Sequence, residues 1–530
     1  MKKIRDPLQG EHLRTLSVFL LCSLTACLYG MASPKLNWHP LCWILLVPFL
    51  LALEGAGMRR GFTIGWLCGT MIHLVCFPWI VGTIQRYSNL NLTLSILAWI
   101  LFSLYSGLAF GGMSVAHLLV TRRSLLPAFL ALPICYTAME FLFPFIFPWH
   151  LGACLYPVLP LIQISDLFGV FGVTGLLVTA NAAFFEIFRF LMKRQPFPFA
   201  SAALSTLLVA ASLSYGYWRM DWIHAQQEKS STLTVGIVQA NVLIEEKRTP
   251  LLQEDIWRRY RELSLEAIRQ NAQMIVWPES AVQFPFRPQS GPHSASAYLK
   301  EMIRSFGTPV LFGSWAIEVD GPRNTAYLLD TRGEVAGRYD KVHLLAFGEF
   351  MPFSDSIPQL KGLVQGVGDF RAGERAEPLC WNGSCFGVLI CYEAVLKSLP
   401  RQLINLGGQF LVNITNDVWF GDTNCPEQHL MLASFRAVEN RVWLVRAANT
   451  GISAFVDPTG RILNRTALFR QAVRVSRIQT LGVPTLYKSW GDWFPVSCSL
   501  LLVLLLAPGL LAEAREQMIR KRARREAHKT

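Results

Sequence analysis

Seven apolar segments crowd the first 220 residues, more than a water-soluble globule has core to hide. They cover 13–32, 41–53, 62–81, 92–120, 125–145, 167–190 and 199–217, and an eighth follows at 493–511. A bilayer core takes about 20 helical residues, so most of these segments have the length of a crossing, and 41–53 is short for one. The chain is 52% hydrophobic and only 16% charged, against roughly 25% charged in soluble domains.

Basic residues orient the set. Lys2, Lys3 and Arg5, then Arg59 and Arg60, Arg122 and Arg123, Arg189, Lys193 and Arg194, and finally the tail REQMIRKRARREAHK all flank apolar runs. With eight crossings these clusters fall on one side, and the opposite loops are poor in Lys and Arg. Such residues stay cytoplasmic, so both termini are expected there and the large intervening domain outside. This layout accounts for the net charge of +13 without nucleic acid. The first segment lacks a clear small-residue cleavage site, which favours an uncleaved span over a signal peptide. The expected division is a seven-span domain at 1–220, a water-exposed domain at 230–481, an eighth span at 493–511 and a basic tail at 512–530.

Residues 230–481 alternate strand-like and helix-like stretches. LTVGIVQANV, AQMIVWPE, TPVLFGSWAI, FGVLICYE and QFLVNITND read as strands. EDIWRRYRELSLEAIRQN, SAYLKEMIRSFG, SLPRQLINLG and EQHLMLASFRAVENR read as helices, and TAYLLDTRGEVAGRYDKV as a hairpin around Arg332-Gly333. The alternation predicts a layered α/β domain, in which sites gather at the C-terminal ends of strands.

Three reactive side chains stand at such ends: Glu279 after MIVWP, Lys341 after GRYD and Cys391 after FGVLI. A thiol is mostly protonated at neutral pH and needs a base or a cation to become a nucleophile. Glu279 can take the proton, and Lys341 can favour the thiolate and hold a developing oxyanion. Singly, each has a plainer reading as a solvated acid, a surface lysine or a core cysteine. Their recurrence at three strand ends carries the argument. His343 and His429 are the nearest histidines, and neither stands at an equivalent strand end. The twelve cysteines form no CxxC pair and no Cys/His cluster at zinc spacing. Several, such as Cys22, Cys68 and Cys76, sit in apolar runs as small hydrophobes.

The motifs WPES, YDKVHLLAFGEFMPF, ICYEAV and NITNDVWFGDTNCPEQHL…RAVENRVWLVRAANTG resemble the carbon–nitrogen hydrolase (nitrilase) superfamily, whose signature is a Glu–Lys–Cys triad in this order. The membrane part, with Trp149, Gly152, Gln163, Asp166, Gly169, Gly172 and Asn181 in FPWHLGACLYPVLPLIQISDLFGVFGVTGLLVTAN, resembles the integral-membrane branch of apolipoprotein N-acyltransferases. The resemblance implies a multi-pass α-helical membrane domain joined to an α/β nitrilase-like αββα sandwich outside the cytoplasm. It makes Glu279 the general base, Lys341 the oxyanion-stabilising residue and Cys391 the nucleophile. Glu349 matches the superfamily's additional glutamate, and Tyr392 and Glu393 match the pair after the nucleophile. For Glu393, a helix-start acid is the competing reading. Cys425 before Pro426 replaces an expected small residue and reads as a local substitution, not a second nucleophile.

The implied reaction is ping-pong acyl transfer. Cys391 takes an acyl chain from a phospholipid, usually phosphatidylethanolamine, as a thioester. The α-amino group of an S-diacylglyceryl-cysteine in an apolipoprotein then receives it. The setting is the bacterial inner membrane, with the catalytic domain periplasmic. No metal or organic cofactor and no nucleic acid is implied. Two other readings compete: a membrane-bound nitrilase-type amidase that passes the acyl group to water, and a non-catalytic lipid carrier on the same fold. Aromatic outer loops such as FPWHLGACLYP suit lipid contact and equally an ordinary aromatic belt.

In LCWNGSCF, Asn382-Gly383 signals a type I′ hairpin. Trp381 and Ser384 would then flank the turn and Cys380 and Cys385 face each other next, within disulfide range at a Cα separation of about 4.5 Å. In an oxidising compartment they are either bridged or two facing thiols.

Overall fold

The computed structural model describes residues 7–88, 90–124, 126–247, 249–352 and 369–507. Among the described residues the apolar segments are mostly helical, and 41–53 is broken by a turn at 44–46. In chain order the helices are α1 (Pro7–Ala32), α2 (Val47–Leu53), α3 (Met58–Cys76), α4 (Trp79–Ser88), α5 (Leu92–Arg123), α6 (Ala128–Leu142), α7 (Val170–Leu191) and α8 (Phe199–Glu228). Among the described residues, α1, α5, α7 and α8 are each long and apolar enough to cross a membrane, and α3 with α4 makes a fifth candidate bent by 62°. The expected segment 62–81 is therefore not one straight helix. The chain breaks at Phe77-Pro78, because proline lacks the N–H that would continue the ladder and disfavours helical backbone before it. The stretches His39–Leu53, Ala128–Leu142 and Trp493–Ala507 are shorter. A 15-residue helix reaches only about 22 Å, less than the roughly 30 Å hydrocarbon core. The segment expected at 493–511 is helical to Ala507, and the basic tail at 512–530 lies outside the described residues. Helix α8 continues to Glu228, about three turns beyond 217, and so carries the chain out to the next domain.

Small residues set the tightest helix contact. A Cβ on Gly65 of α3 would come within 2.4 Å of the Phe110 carbonyl, and one on Gly107 of α5 within 2.7 Å of the Thr70 nitrogen. Lipid offers no hydrophobic drive between helices, so such close backbone approach supplies the packing energy.

The second domain is a sandwich. One six-stranded sheet has the order β12–β1–β2–β3–β4–β5 and the other β11–β10–β9–β8–β7–β6. The first contains β1 (Thr232–Gln239), β2 (Met274–Val276), β3 (Val310–Glu318), β4 (Gly321–Leu329), β5 (Val335–Asp340) and the returning β12 (Ala472–Gln479). The second contains β6 (Leu379–Trp381), β7 (Ser384–Ile390), β8 (Phe410–Thr415), β9 (Leu444–Ala448), β10 (Ala454–Val456) and β11 (Ile462–Leu463). Val235, Ile237, Met274 and Val276 face Val388, Ile390, Val412 and Ile414 in the core between the sheets. The alternate residues of the first sheet, among them Val238, Ile275 and Phe312, pack on Ile256, Tyr260, Leu299 and Ile303 of α9 (Gln253–Arg269) and α10 (Ala295–Phe306). Helices α11 (Ser398–Asn405) and α12 (Cys425–Asn440) cover the second sheet. Each strand thus buries both faces, in an α–β–β–α order. After β12 the chain returns to the membrane part through α13 (Trp493–Ala507).

The two halves are tied by a buried ionic seam. Asp166 accepts from Arg219 Nε at 2.7 Å, Arg441 Nε at 3.0 Å and Tyr215 Oη at 2.7 Å. Arg441 also donates to the Gln163 and Pro458 carbonyls at 3.1 and 2.9 Å. Asn181 bridges the Leu46 N–H and the Cys42 carbonyl, each at 2.8 Å, and Gly152 N–H donates to Thr174 Oγ1 at 3.0 Å. Several residues of the FPWHLG…TAN pattern are therefore seams of the scaffold.

The hairpin at Asn382-Gly383 forms with the expected register. Asn382 and Gly383 have φ of 46° and 79°, as a type I′ turn requires, and Trp381 pairs with Ser384. Cys380 and Cys385 are opposite, with Cα atoms 4.0 Å apart, and are joined by a disulfide.

Candidate active site

Glu279 lies three residues beyond β2. A Cβ on Gly313 of β3 would stand 2.7 Å from the Glu279 Cα, so only glycine lets this backbone pass. The buried carboxylate accepts from Asn324 Nδ2 at 2.8 Å and from the Asn416 N–H at 2.9 Å. Lys341 is the first residue after β5, and its N–H pairs with the Asn324 carbonyl at 2.9 Å. Its buried ammonium meets Glu349 Oε2 at 2.6 Å. Asn324 Nδ2 donates to Glu349 Oε1 at 2.9 Å, and the Leu345 N–H to Glu349 Oε2 at 2.9 Å. Glu279, Asn324, Glu349 and Lys341 therefore form one connected set carried by the first sheet and the loop after β5.

Cys391 comes from the other sheet, directly after β7, and opens a short 3₁₀ turn, Cys391–Val395. Its φ is +53°, a left-handed backbone that costs a residue with a Cβ about 1–2 kcal/mol. Burial and then the Glu279 charge push its thiol up, while the Lys341 ammonium pulls it down. The resting sulfur is a neutral thiol. Burial opposes the Lys341 charge, but Glu349, Cys391 and Glu279 outweigh it, and the lysine stays protonated well above its ordinary range. Burial raises Glu279, with Lys341 opposing and Glu349 reinforcing. Glu279 and Lys341 are joined through Asn324 and Glu349, and the Cys391 thiol, from the other sheet, is raised by the first charge and lowered by the second.

Glu393 is wholly buried and accepts from Tyr339 Oη, the Val342 and His343 N–H groups and the Ile390 N–H, at 2.8–3.0 Å. It ties the end of β7 to the segment that follows Lys341, and its bond from the Ile390 N–H also caps the 3₁₀ turn, so both expected readings hold. Burial raises it to about 7. Tyr392 lines the cavity beside Cys391; its hydroxyl donates to the Ile146 carbonyl at 3.0 Å and its ring meets Phe147 edge-on at 6.2 Å. It docks the turn on the membrane part.

Other contributors stand out only in three dimensions. Asn324 and Asn416 hold Glu279. Lys247 donates to the Ser280 carbonyl at 3.0 Å, and burial lowers its ammonium to about 8. His429 Nε2 lies 3.1 Å from the Cys391 carbonyl oxygen. That oxygen can only accept, so Nε2 carries the proton. Burial, then Arg446, disfavours the charged ring, which leaves Nδ1 to accept from Arg446 Nη2 at 3.2 Å. Arg446 also pairs with Asp417 at 2.9 Å and donates to Asn413 Oδ1, whose Nδ2 approaches the same Cys391 carbonyl at 3.4 Å. Two donors set by one buried arginine thus clamp the strained residue. Spacing marked neither Arg446 nor Asn413. His429 is engaged with the carbonyl of Cys391, not poised as its base.

A cavity of about 50 Å³ opens on Cys391. Phe77, Trp79, Phe147 and Trp149 of the membrane part line it with Val395, Phe420 and Leu432 of the sandwich. Cys425 lines it too, and burial holds that thiol neutral, in keeping with a filler role. Among the described residues no His/Cys/Asp/Glu group is arranged to hold a metal ion.

Residues 234–482 match the carbon-nitrogen hydrolase family model, and residues 25–183 match that of the apolipoprotein N-acyltransferase N-terminal domain. The chain is 36% identical over 497 residues to the apolipoprotein N-acyltransferase of Geobacter metallireducens, covering 91% of this chain and 93% of that one. It is 30% identical to that of Gloeobacter violaceus, over 94% and 95% of the two chains. Among solved structures, an amidase from Nesterenkonia sp. AN1 aligns with a TM-score of 0.36 and 21% identity, over 49% of this chain and 96% of that one.

Proposed function

Because the chain belongs to the apolipoprotein N-acyltransferase family, we propose that Cys391 carries an acyl group from a phospholipid to the α-amino group of a diacylated apolipoprotein. The observation behind the residue roles is a half-buried thiol acted on by Glu279 and Lys341 at the end of a cavity half-built by the membrane part. Glu279 takes the thiol proton as the sulfur attacks the sn-1 ester carbonyl. The Lys341 ammonium, kept charged by Glu349, stabilises the oxyanion together with backbone N–H groups of the turn after Cys391. Glu279 returns the proton to the departing alkoxide, and a lysophospholipid leaves. The incoming amine then attacks the thioester, gives its proton to Glu279, and the thiolate leaves and is reprotonated. The product amide is less labile than the thioester, which makes the second step favourable. Glu393 acts by positioning, through the end of β7 and the segment after Lys341. The donor is phosphatidylethanolamine.

An apolar approach to the sulfur suits these substrates, since drawing an acyl chain into water costs about 0.8 kcal/mol per CH₂. The proposed topology places the membrane part in the inner membrane, the termini in the cytoplasm and the catalytic domain on the periplasmic side, where a disulfide persists.

The test uses the full-length protein with phospholipid labelled in its sn-1 chain. The label should become attached to Cys391 as a hydroxylamine-sensitive thioester, be absent from Cys391→Ala, and move to a diacylated peptide as an amide. Free fatty acid as the main product would instead support an amidase, and no label on the wild type would overturn the covalent route. Competition among phospholipid head groups tests the donor. Labelling of a cysteine in the sandwich by an impermeant reagent, applied from the periplasmic side, tests the topology.

A further inference from the structure

Strand β3 and the turn after it carry an apolar row left partly or fully exposed among the described residues. Trp315, Ile317 and Val319 are 37%, 59% and 109% exposed, while Ala316 between them is buried. With a period of two, Trp315 and Ile317 share one face of the strand, and Val319 opens the turn directly beyond them. A soluble domain rarely leaves such a row on a hairpin tip, and neighbouring charges do not screen it. Glu318 is held by Arg338 at 2.7 Å and Asp320 by Arg323 at 3.1 Å, so the acids at the tip are neutralised in place.

The register shows where the tip points. Trp315 pairs with Asn324 and Glu318 with Gly321. Asn324 is the residue that holds Glu279 and Glu349, so Trp315 lies level with the candidate site and the turn projects beyond it. The three residues from Asn324 to Gly321 extend the hairpin about 10 Å. The projection is on the side of the membrane part, whose Phe77, Trp79, Phe147 and Trp149 close the cavity at Cys391. A chain of contacts joins the tip to the end of α4. Tyr87 Oη donates to the Gly348 carbonyl, the Phe370 N–H to the Glu349 carbonyl at 3.1 Å, the Arg371 N–H to the Pro322 carbonyl at 2.8 Å, and Arg371 Nε to the Asp320 carbonyl at 3.2 Å.

We propose that the β3–β4 hairpin tip is a lipid-contacting element: Trp315, Ile317 and Val319 dip into the outer surface of the bilayer beside the site mouth. The indole of Trp315, uppermost of the three, suits the headgroup level, and the two aliphatic chains the acyl boundary below it. The contact presses the mouth against the lipid surface, so an acyl chain passes to the cavity without crossing water. This inference rests on the proposed reading that the strand-end side of the sandwich faces the bilayer.

The test is spin-label depth measurement on the full chain in nanodiscs of phosphatidylethanolamine and phosphatidylglycerol. Cys27→Ser and Cys391→Ala remove the exposed and the half-buried free thiols, so the readout does not depend on catalysis. Single labels go at Ile317→Cys and Val319→Cys. Leu101→Cys on α5, 56% exposed, is the lipid reference, and Leu406→Cys, between α11 and the start of β8 at the opposite end of the strands, is the water reference. The expected result is relaxation by oxygen exceeding that by a water-soluble nickel chelate at 317, 319 and 101, and the reverse at 406. Water-like values at 317 and 319 beside a lipid-like 101 overturn the proposal. So does shielding that develops only on adding a diacylated peptide or raising the protein concentration, which would assign the stripe to the acceptor or to a second copy. The residue roles at Cys391 are tested separately by thioester trapping in the unlabelled protein, so either reading can fail without the other.

Discussion

Replacing Glu349 by glutamine changes no shape and removes one charge, and the structure says why that is not conservative. Three donors converge on this carboxylate: Asn324 Nδ2 on Oε1, and Lys341 Nζ and the Leu345 N–H on Oε2. A carboxylate accepts at both ends, whereas an amide must present its NH₂ at one of them. Whichever way the new side chain of Glu349→Gln turned, a donor would face a donor, and a buried donor left unmade costs about 1–3 kcal/mol. The ammonium of Lys341, 1% exposed, would also lose its first compensating charge. Breaking a buried pair from one side costs about 3–5 kcal/mol, and Glu279 and Glu393 still face the lysine, so the low end applies. About 3 kcal/mol withdrawn from oxyanion stabilisation slows thioester formation by roughly 10²-fold. The sign in pH is fixed as well. The pair raises Lys341 above its ordinary 10.5, so its stabilisation is complete below that value and is lost only as pH rises through the folded one. The wild type should therefore be insensitive to this lysine between about pH 6 and 9. In Glu349→Gln the lysine value falls, and the rate should decline at the alkaline end first. The assay is the rate of acyl-thioester appearance from labelled phospholipid across that range. A variant that forms thioester at the wild-type rate near neutral pH, with an unchanged profile, would refute the reasoning.

Asp166→Asn should strand Arg219 and Arg441 in the seam between the halves and lower stability by about 3–5 kcal/mol, read as earlier thermal inactivation in detergent. For Asp417, burial opposes the charge but Arg446 outweighs it and depresses the carboxyl from 3.8 to about 2. Its stabilisation, about 2 kcal/mol, is present above 3.8 and lost as pH falls through about 2, so acid unfolding of Asp417→Asn should lack that segment. Cys380→Ser with Cys385→Ser should cost at most about 2 kcal/mol by the chain entropy of so short a loop and leave thioester formation intact; a non-reduced peptide mass checks the bridge in the wild type.

Much of the sandwich was legible because its signals are local. The hydrophobic runs of β1, β3, β7 and β8, the amphipathic faces of α9 and α10, and Asn382-Gly383 at a turn each declare themselves within a few residues. In the membrane part the apolar runs are legible but their shapes are not: among the described residues four helices, or five with the bent pair, are long and apolar enough to cross. An apolar run from 62 to 81 looks like one helix to any hydropathy window, and the break at Phe77-Pro78 follows from a single proline whose neighbours then line the cavity. The three short helices mark the same limit: composition says apolar, but whether a helix spans depends on what packs around it.

At the site, the sequence signal runs out where residues act through others. Glu279, Lys341 and Cys391 stood out because each is a reactive group at a strand end. Asn324 lies among ordinary strand residues, yet it joins Glu279 to Glu349 with one amide. Arg446 sits in a strand, LVRAA, whose alternation says only that the residue is buried. A buried arginine needs partners, and these come from 17 to 33 residues away in the chain: His429, Asp417 and Asn413. Two of them carry its influence to the Cys391 carbonyl and so fix the peptide after a residue at φ +53°. Holding that carbonyl on one side turns the N–H of the same peptide to the other, because a planar peptide points its two groups in opposite directions. The orientation of a backbone donor beside the thiol is thus set by an arginine that touches neither the sulfur nor the space a substrate would fill, and no spacing rule could announce it.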